Sequence, residues 1–274
     1  MNNKDFWESV NAIIAEGFTP EGLQKLDEYA EQFVTGRLVY QRFSPAEQHG
    51  CAAGGPAHVV ASLLAGAENQ TDRATSPDVG GFQRELQRGK KQAEIIEKWA
   101  KAVGCWTDDV SNALQNVLGT KIAEGGEAMV YDHGASLVKS IGLDYFVQPI
   151  LALDRITLHN TYFPETTLYV LGFGKANGEF KIIVEQPFIK GAHVPDIEIS
   201  TFAQNMGFKQ INPKNWTYAT PEIYLSDLHD ENVIRSEEGN IFVVDCDIRI
   251  NTPELRCGGV RELTTEVRFN EQSY

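Results

Sequence analysis

Tyr224-Leu225-Ser226-Asp227-Leu228-His229-Asp230-Glu231-Asn232-Val233-Ile234, followed shortly by Ile241-Phe242-Val243-Val244-Asp245-Cys246-Asp247, is the stretch that decides how this chain reads. Two apolar, β-branched runs flank a polar loop and Gly239-Asn240 supplies a turn, a pattern that predicts strand, loop, strand, turn, strand. On that frame Asp227 and Asn232 share one loop, and Asp245 stands at the end of the neighbouring strand. An acid, an amide five positions on and a second acid at a strand terminus suit phosphoryl transfer. That chemistry needs a carboxylate to orient or deprotonate the acceptor, and oxygen ligands for the hard Mg²⁺ that bridges the phosphates. The plain alternative is a surface hairpin whose acids are incidental.

The same residues resemble the catalytic and metal loops of the protein kinase-like superfamily. Asp227-Leu228 and Asn232 match D-L-x-x-x-N, and Asp245 falls where the metal-binding Asp of D-F-G is expected. His229 and the Asp245-x-Asp247 ending are similar to the D-x-H-x-x-N and D-x-[DE] of aminoglycoside and choline kinases. Leu225-Ser226 replaces the H-R before the family's catalytic Asp, so the Arg that pairs with a phosphorylated activation loop is missing. The resemblance implies Asp227 as the acceptor-side acid, Asn232 and Asp245 as metal ligands, and Asp247 as an aid to metal or acceptor. His229 reads as a support for the loop, since Mg²⁺ prefers oxygen.

Length and composition set the outer limits. A chain of 274 residues, 42% hydrophobic and 23% charged, holds one large or two modest domains of ordinary soluble composition. A formal charge of −14 argues against a sequence-independent nucleic-acid binder, which needs Lys and Arg to displace counterions. It also requires that a polyanionic nucleotide meet local positive charge or divalent metal. Cys51, Cys105, Cys246 and Cys257 form no C-x-x-C pair and read as free thiols in a reducing cytoplasm. The N-terminal residues lack the apolar core of a signal peptide, and no apolar run approaches membrane-spanning length.

Residues 1–118 read as an all-helical region. Phe6, Val10, Ile13 and Ile14 follow helical spacing; Thr19-Pro20-Glu21 then opens a second helix carrying Leu23, Leu26, Tyr29 and Phe33. Ser44-Pro45-Ala46-Glu47 resembles a capping box. A small-residue helix starts at His58, and 68–81 reads as a mobile loop. A longer helix should bury Phe82, Leu86, Ala93, Ile96, Ala100 and Val103 and end at Gly104. The last, from about Asp108 to Leu118, should turn Val110, Leu114 and Val117 inward. A Cys51–His58 nucleophile pair near His49 is conceivable, but sequence adjacency does not join the side chains, and packing explains them. Gly54-Gly55 ahead of a helix is better explained as a helix break than as an anion site.

From Gly119 the pattern switches to period two. Residues 121–131 and Ser136-Leu137-Val138-Lys139-Ser140 predict a hairpin turned at Asp132-His133-Gly134. The run Glu124-Gly125-Gly126-Glu127-Ala128-Met129-Val130-Tyr131 resembles the G-x-E-A-x-V-Y of RIO-type and related small kinases. The resemblance implies that Gly125, Gly126 and Val130 lie against a nucleotide and that Lys139 contacts its α and β phosphates. A solvated lysine is the plain alternative. An acidic partner for Lys139 is expected on the next helix, where Pro149 sits in the first turn and Ile150, Leu153 and Ile156 form a stripe. Asp154 is the candidate, with Asp144 and Glu165 as rivals. A second hairpin turned at Asn177-Gly178 completes a five-stranded lobe. Glu185-Gln186-Pro187-Phe188 takes the place of a hinge, where adenine would bond to a neighbouring amide such as that of Phe188, because proline has no N–H.

After the hinge come one helix, Asp196 to Met206, a β-like run at Trp216-Thr217-Tyr218, and the loops already quoted. Nothing after Asp245 resembles the peptide-binding platform of protein kinases. The layout resembles the minimal kinase domains of polyvalent proteins of mobile elements. The expected fold class is therefore α+β: a helical region over 1–118, then a C-terminally truncated bilobal kinase-like domain over 119–274, with lobes 119–186 and 187–274. The N-terminal helices are expected to pack against the truncated lobe. The resemblance implies a phosphotransferase using ATP and Mg²⁺ on an unidentified hydroxyl, with no nucleic acid or membrane as partner. A catalytically degenerate nucleotide-binding or interaction module is the alternative, and nucleotidyl transfer is a more distant one.

Overall fold

The computed structural model describes residues 12–13, 15–34, 79–125, 128–143 and 147–251. Gly126, Asp144, His49, Cys51, Gly54, Gly55, His58, the capping box at Ser44 and residues 68–78 of the loop expected over 68–81 lie outside the described residues, while 79–81 are helical. The chain divides after Phe188 into two compact units.

In the first unit, α1 (Pro20–Val34), α2 (Val79–Val103), β1 (Trp106–Thr107) and α3 (Val110–Leu118) precede β2 (Ala123–Glu124), β3 (Ala128–Asp132) and β4 (Ser136–Gly142). Then come α4 (Pro149–Tyr162), β5 (Tyr169–Ala176) and β6 (Glu179–Pro187). The Thr19 hydroxyl accepts the Gly22 N–H at 3.2 Å and Pro20 opens α1, as the sequence predicts. Gln92, Ile95, Ile96, Trp99 and Ala100 form the buried stripe of α2, three and four residues apart. Val103, expected inside, is 43% exposed, because it belongs to the last turn before Gly104 takes φ +79°. Val117 is 80% exposed for a similar reason: α3 contacts the sheet along Val110, Leu114 and Leu118, and Val117 falls beside that row.

Among the described residues the sheet has six strands in the order β1-β5-β6-β4-β3-β2. Both expected hairpins are present, and the strand not foreseen is β1, which pairs parallel to β5 through Trp106–Phe173 and Thr107–Gly174. The stretch read as all-helical thus donates a strand. A Cβ on Gly174 would lie 2.2 Å from the Thr107 carbonyl oxygen, so only glycine lets the two backbones come this close.

One face of this sheet is covered by α4 and α2. Leu153, Ile156, Ile96, Trp99, Phe173 and Val184 share a core there, each large side chain contributing about 1.5–3 kcal/mol of burial. Ile13, Phe18 and Leu26 join this same core and therefore pack within the first unit. The other face carries Tyr131, Val138 and Ile183 against Val110 of α3.

The second unit contains β7 (Gly191–His193), α5 (Asp196–Asn205), β8 (Lys209–Asn212), β9 (Thr217–Ala219), β10 (Ile223–Ser226), β11 (Val233–Ser236), β12 (Ile241–Val243) and β13 (Asp247–Ile250). They form two antiparallel sheets, β13-β10-β9-β8 and β12-β11-β7. The predicted strand–loop–strand–turn–strand is β10 to β12, with Gly239 at φ +90° in the turn. β13 was not expected, although Asp247-Ile248-Arg249-Ile250 alternates polar and apolar as a strand should.

Candidate active site

Within the second unit the loop after β10 is tied together by one side chain. Asp227 has φ +63°, a left-handed conformation that Asp tolerates better than most residues but that still carries strain. The Asn232 amide nitrogen donates to the Asp227 main-chain carbonyl at 2.8 Å and lies 3.4 Å from its carboxylate. The Asn232 carbonyl in turn accepts from Val244 N at 2.9 Å and Asp245 N at 3.5 Å. One residue therefore fastens the Asp227 loop to the turn that carries Asp245. The Asp227 carboxylate is 47% exposed, open to an incoming group. Asp245 lies just past β12 rather than at its last residue, and its Oδ1 accepts the Cys246 N–H at 2.9 Å.

His229 holds the loop from inside. Its Nδ1 accepts from Glu231 N at 3.3 Å, capping the short turn Asp230–Asn232. Its ring sits 5.3 Å from that of Trp216, and Nε2 is 3.8 Å from Asp227 Oδ1 and 3.2 Å from the Asn232 amide. Trp216, with φ +45°, was not singled out from sequence, because no local pattern announces a ring that packs on a histidine across the chain.

Asp247, expected to aid metal or acceptor, is engaged within the protein. It is 4% exposed and pairs in register with Ser226. Its Oδ1 accepts from Arg249 Nε at 2.8 Å and its Oδ2 from the Ser226 hydroxyl at 3.3 Å. Each oxygen thus accepts one hydrogen bond from within the protein. Arg249 and Ser226 were not singled out from sequence; the signal for their contact was the two-residue spacing of Asp247 and Arg249, which puts them on one strand face.

The donor set can be weighed against Mg²⁺. The Asn232 nitrogen is turned to Asp227, so its Oδ1 faces the other way and accepts no hydrogen bond among the described residues. Asp245 adds a carboxylate. Two oxygen ligands suit a cation that keeps waters and takes the rest of its shell from phosphate. Among the described residues no group of three His, Cys, Asp or Glu side chains converges as a metal site, so a site of this kind would depend on such outside oxygens.

In the first unit Lys139 occupies mid-strand on β4, between Val130 of β3 and Val184 of β6, and is 9% exposed. It is therefore a buried lysine of a central strand rather than a solvated lysine at a strand end. Directly opposed side chains share a face, so Lys139 lies on the side covered by α4. Asp154 is half-buried on that helix, where Pro149 takes the first turn and Ile150, Leu153 and Ile156 are buried as predicted. Glu165 is exposed in a short turn, which suits it less as partner to a buried ammonium. Gly125 lies at the bend of the β2–β3 hairpin, its N–H bonded to Ala128 O at 2.9 Å.

The hinge stretch differs from expectation. The Phe188 N–H donates to Ala135 O at 3.0 Å, so the amide assigned to adenine is already in use. The Glu185 side chain is likewise committed, accepting from the Ser136 hydroxyl and lying 2.8 Å from His133 Nδ1. Those two contacts, the Ser136 bond above all, hold its carboxyl below its ordinary pKa.

The family model described as Serine/Threonine/Tyrosine Kinase found in polyvalent proteins matches residues 89–252, more than half of the chain. The match opens inside α2, well before the glycine-bearing hairpin, and closes just after β13. No curated protein matches the chain.

Proposed function

The chain belongs to the family of serine/threonine/tyrosine kinases found in polyvalent proteins, and from that premise we propose that it transfers the γ-phosphate of ATP to a hydroxyl acceptor with Mg²⁺. The observation that carries this reading is the attachment of Asn232, whose amide fixes Asp227 while its main chain fixes Asp245. An acceptor-side acid and a metal-side acid held by one residue are what the reaction asks for. Asp227 orients the hydroxyl and takes its proton as the acceptor oxygen bonds to the γ-phosphorus. The bond to the β-phosphate oxygen then breaks and ADP departs. Asn232 Oδ1 and Asp245 hold the metal, which neutralises charge on the phosphates when bound.

Lys139 supplies the positive charge that an acidic chain must bring to a nucleotide, and Asp154 is its proposed orienting partner. Gly125, with Gly126, would let the backbone approach the phosphates, and Val130 would line the base side. In this reading the kinase-like portion runs over 119–274 with a reduced second lobe. The acceptor is a small molecule, a specific protein or the chain itself. Cys105 and Cys246 are free thiols, which suits a reducing compartment such as the cytoplasm.

A second reading, a degenerate module that binds without transferring, is favoured by the engaged Phe188 amide, since adenine would have to displace Ala135 from it. A thermal-shift titration with ATP, with and without Mg²⁺, followed by a γ-phosphate transfer assay on wild type, Asp245→Asn and Asp227→Ala, separates the two. Magnesium-dependent binding with transfer supports the kinase; binding without transfer supports the module.

A further inference from the structure

We infer that Arg249 and Asp247 are positioning residues that fix the Asp227 loop through Ser226, a role distinct from metal binding. The inference rests on the reading of Asp227 as the acceptor-side acid. Ser226 is the residue immediately before Asp227, fully buried at the end of β10. Its register partner is Asp247, which accepts the Ser226 hydroxyl with one carboxylate oxygen and Arg249 Nε with the other. Ser226, Asp247 and Arg249 share one face of the β10–β13 ladder, because direct partners and next-nearest residues point the same way.

The geometry explains why such a brace sits here. Asp227 turns into the left-handed region at φ +63°, a conformation that persists only where the surroundings over-determine it. Asn232 holds the carbonyl on the far side of that turn at 2.8 Å. Ser226 holds the near side, where its hydroxyl donates to an Asp247 carboxylate that is itself oriented. Asp247 is a carboxylate with 5% of its side chain exposed, and such a group needs a charged partner. Arg249 is that partner at 2.8 Å. The part-buried pair thus contributes orientation at the residue next to the reacting acid, and truncating Arg249 leaves the buried Asp247 charge uncompensated.

The test compares Asp247→Asn, Arg249→Met and the double variant with wild type and with Asp245→Asn. Backbone hydrogen exchange is measured over 226–232 in the absence of nucleotide, alongside the Mg-ATP thermal shift and kcat and KM for transfer. The brace predicts faster exchange in the loop, an unchanged Mg-ATP shift and ATP KM, and kcat lowered roughly 10- to 100-fold, the scale of a misplacement near 1 Å. The double variant should be no worse than the worse single one, since both act through one contact. Arg249→Lys should recover part of kcat, and Ser226→Ala gives the same phenotype without a buried charge to strand, should Arg249→Met fail to fold. Unchanged loop exchange and kcat would overturn the inference. So would loss of the magnesium-dependent ATP shift in Asp247→Asn, as in Asp245→Asn, which would make Asp247 a metal ligand. Wild-type protein that transfers no phosphate removes the reading of Asp227 instead, while loop exchange still decides the brace.

Discussion

The Asn232 amide nitrogen lies 2.8 Å from the main-chain carbonyl of Asp227 and 3.4 Å from its carboxylate, so the two residues are joined across the loop twice. Asn232→Ala removes that pin and an oxygen offered to metal together. We expect a stability loss of about 1–2 kcal/mol by urea unfolding, since a part-buried carbonyl loses its donor. Transfer should fall by about 100-fold or more. Asn232→Asp restores an oxygen but no N–H, and sets a like charge beside Asp227, so it should recover stability poorly.

Lys139 is a buried lysine on a central strand, on the face proposed to meet the phosphates. Lys139→Met keeps the packed stem and removes the charge. The variant should retain its far-UV circular dichroism yet bind Mg-ATP at least tenfold more weakly, because a charge-assisted bond to phosphate is worth about 1.5–3 kcal/mol. An unchanged ATP affinity by titration would remove Lys139 from the nucleotide.

Glu185 gives a prediction in pH. The Ser136 hydroxyl first and His133 second hold its carboxyl below the ordinary value of 4.5. A depressed folded-state pKa contributes stability that is present above the unfolded value and lost as pH falls through the folded one. Ser136→Ala should therefore be less stable than wild type at pH 7, and the gap should close as the pH drops below about 4.5. Urea unfolding at pH 7 and in acid measures it; a gap that is constant with pH would contradict the assignment.

Gly89 marks where α2 meets the segment leading into α4. A Cβ there would lie 2.1 Å from the Val147 carbonyl oxygen. One turn on, Gln92 receives the Ile150 N–H at 3.2 Å and donates to Gln148 at 2.9 Å, both buried. Gly89→Ala should cost about 1–3 kcal/mol through overpacking and raise hydrogen exchange at the start of α4, although alanine favours helix elsewhere.

How far the sequence carried can be read residue by residue. The strands around Asp227, Asn232 and Asp245 were legible because β-branched runs and a Gly-Asn turn are local signals, and so was α4 from its proline and its stripe. β1 was not legible: two residues form no period, and their pairing depends on the backbone approach at Gly174, a tertiary fact. The partners of Asp247 and Phe188 were not legible for a common reason. A motif lists residues but not the partners that engage their atoms, and here Arg249, Ser226 and Ala135 do so. The packing of Ile13, Phe18 and Leu26 was likewise set by where apolar surface remained, which an amphipathic pattern alone does not name.

The most direct measurement is ATP binding and γ-phosphate transfer by wild type, Asp245→Asn and Asp227→Ala at fixed protein concentration with Mg²⁺ varied. The account predicts that wild type binds ATP in a magnesium-dependent way and transfers phosphate, that Asp245→Asn loses the magnesium dependence, and that Asp227→Ala binds as wild type does but transfers nothing measurable. Equal binding and equal transfer by all three proteins would contradict it.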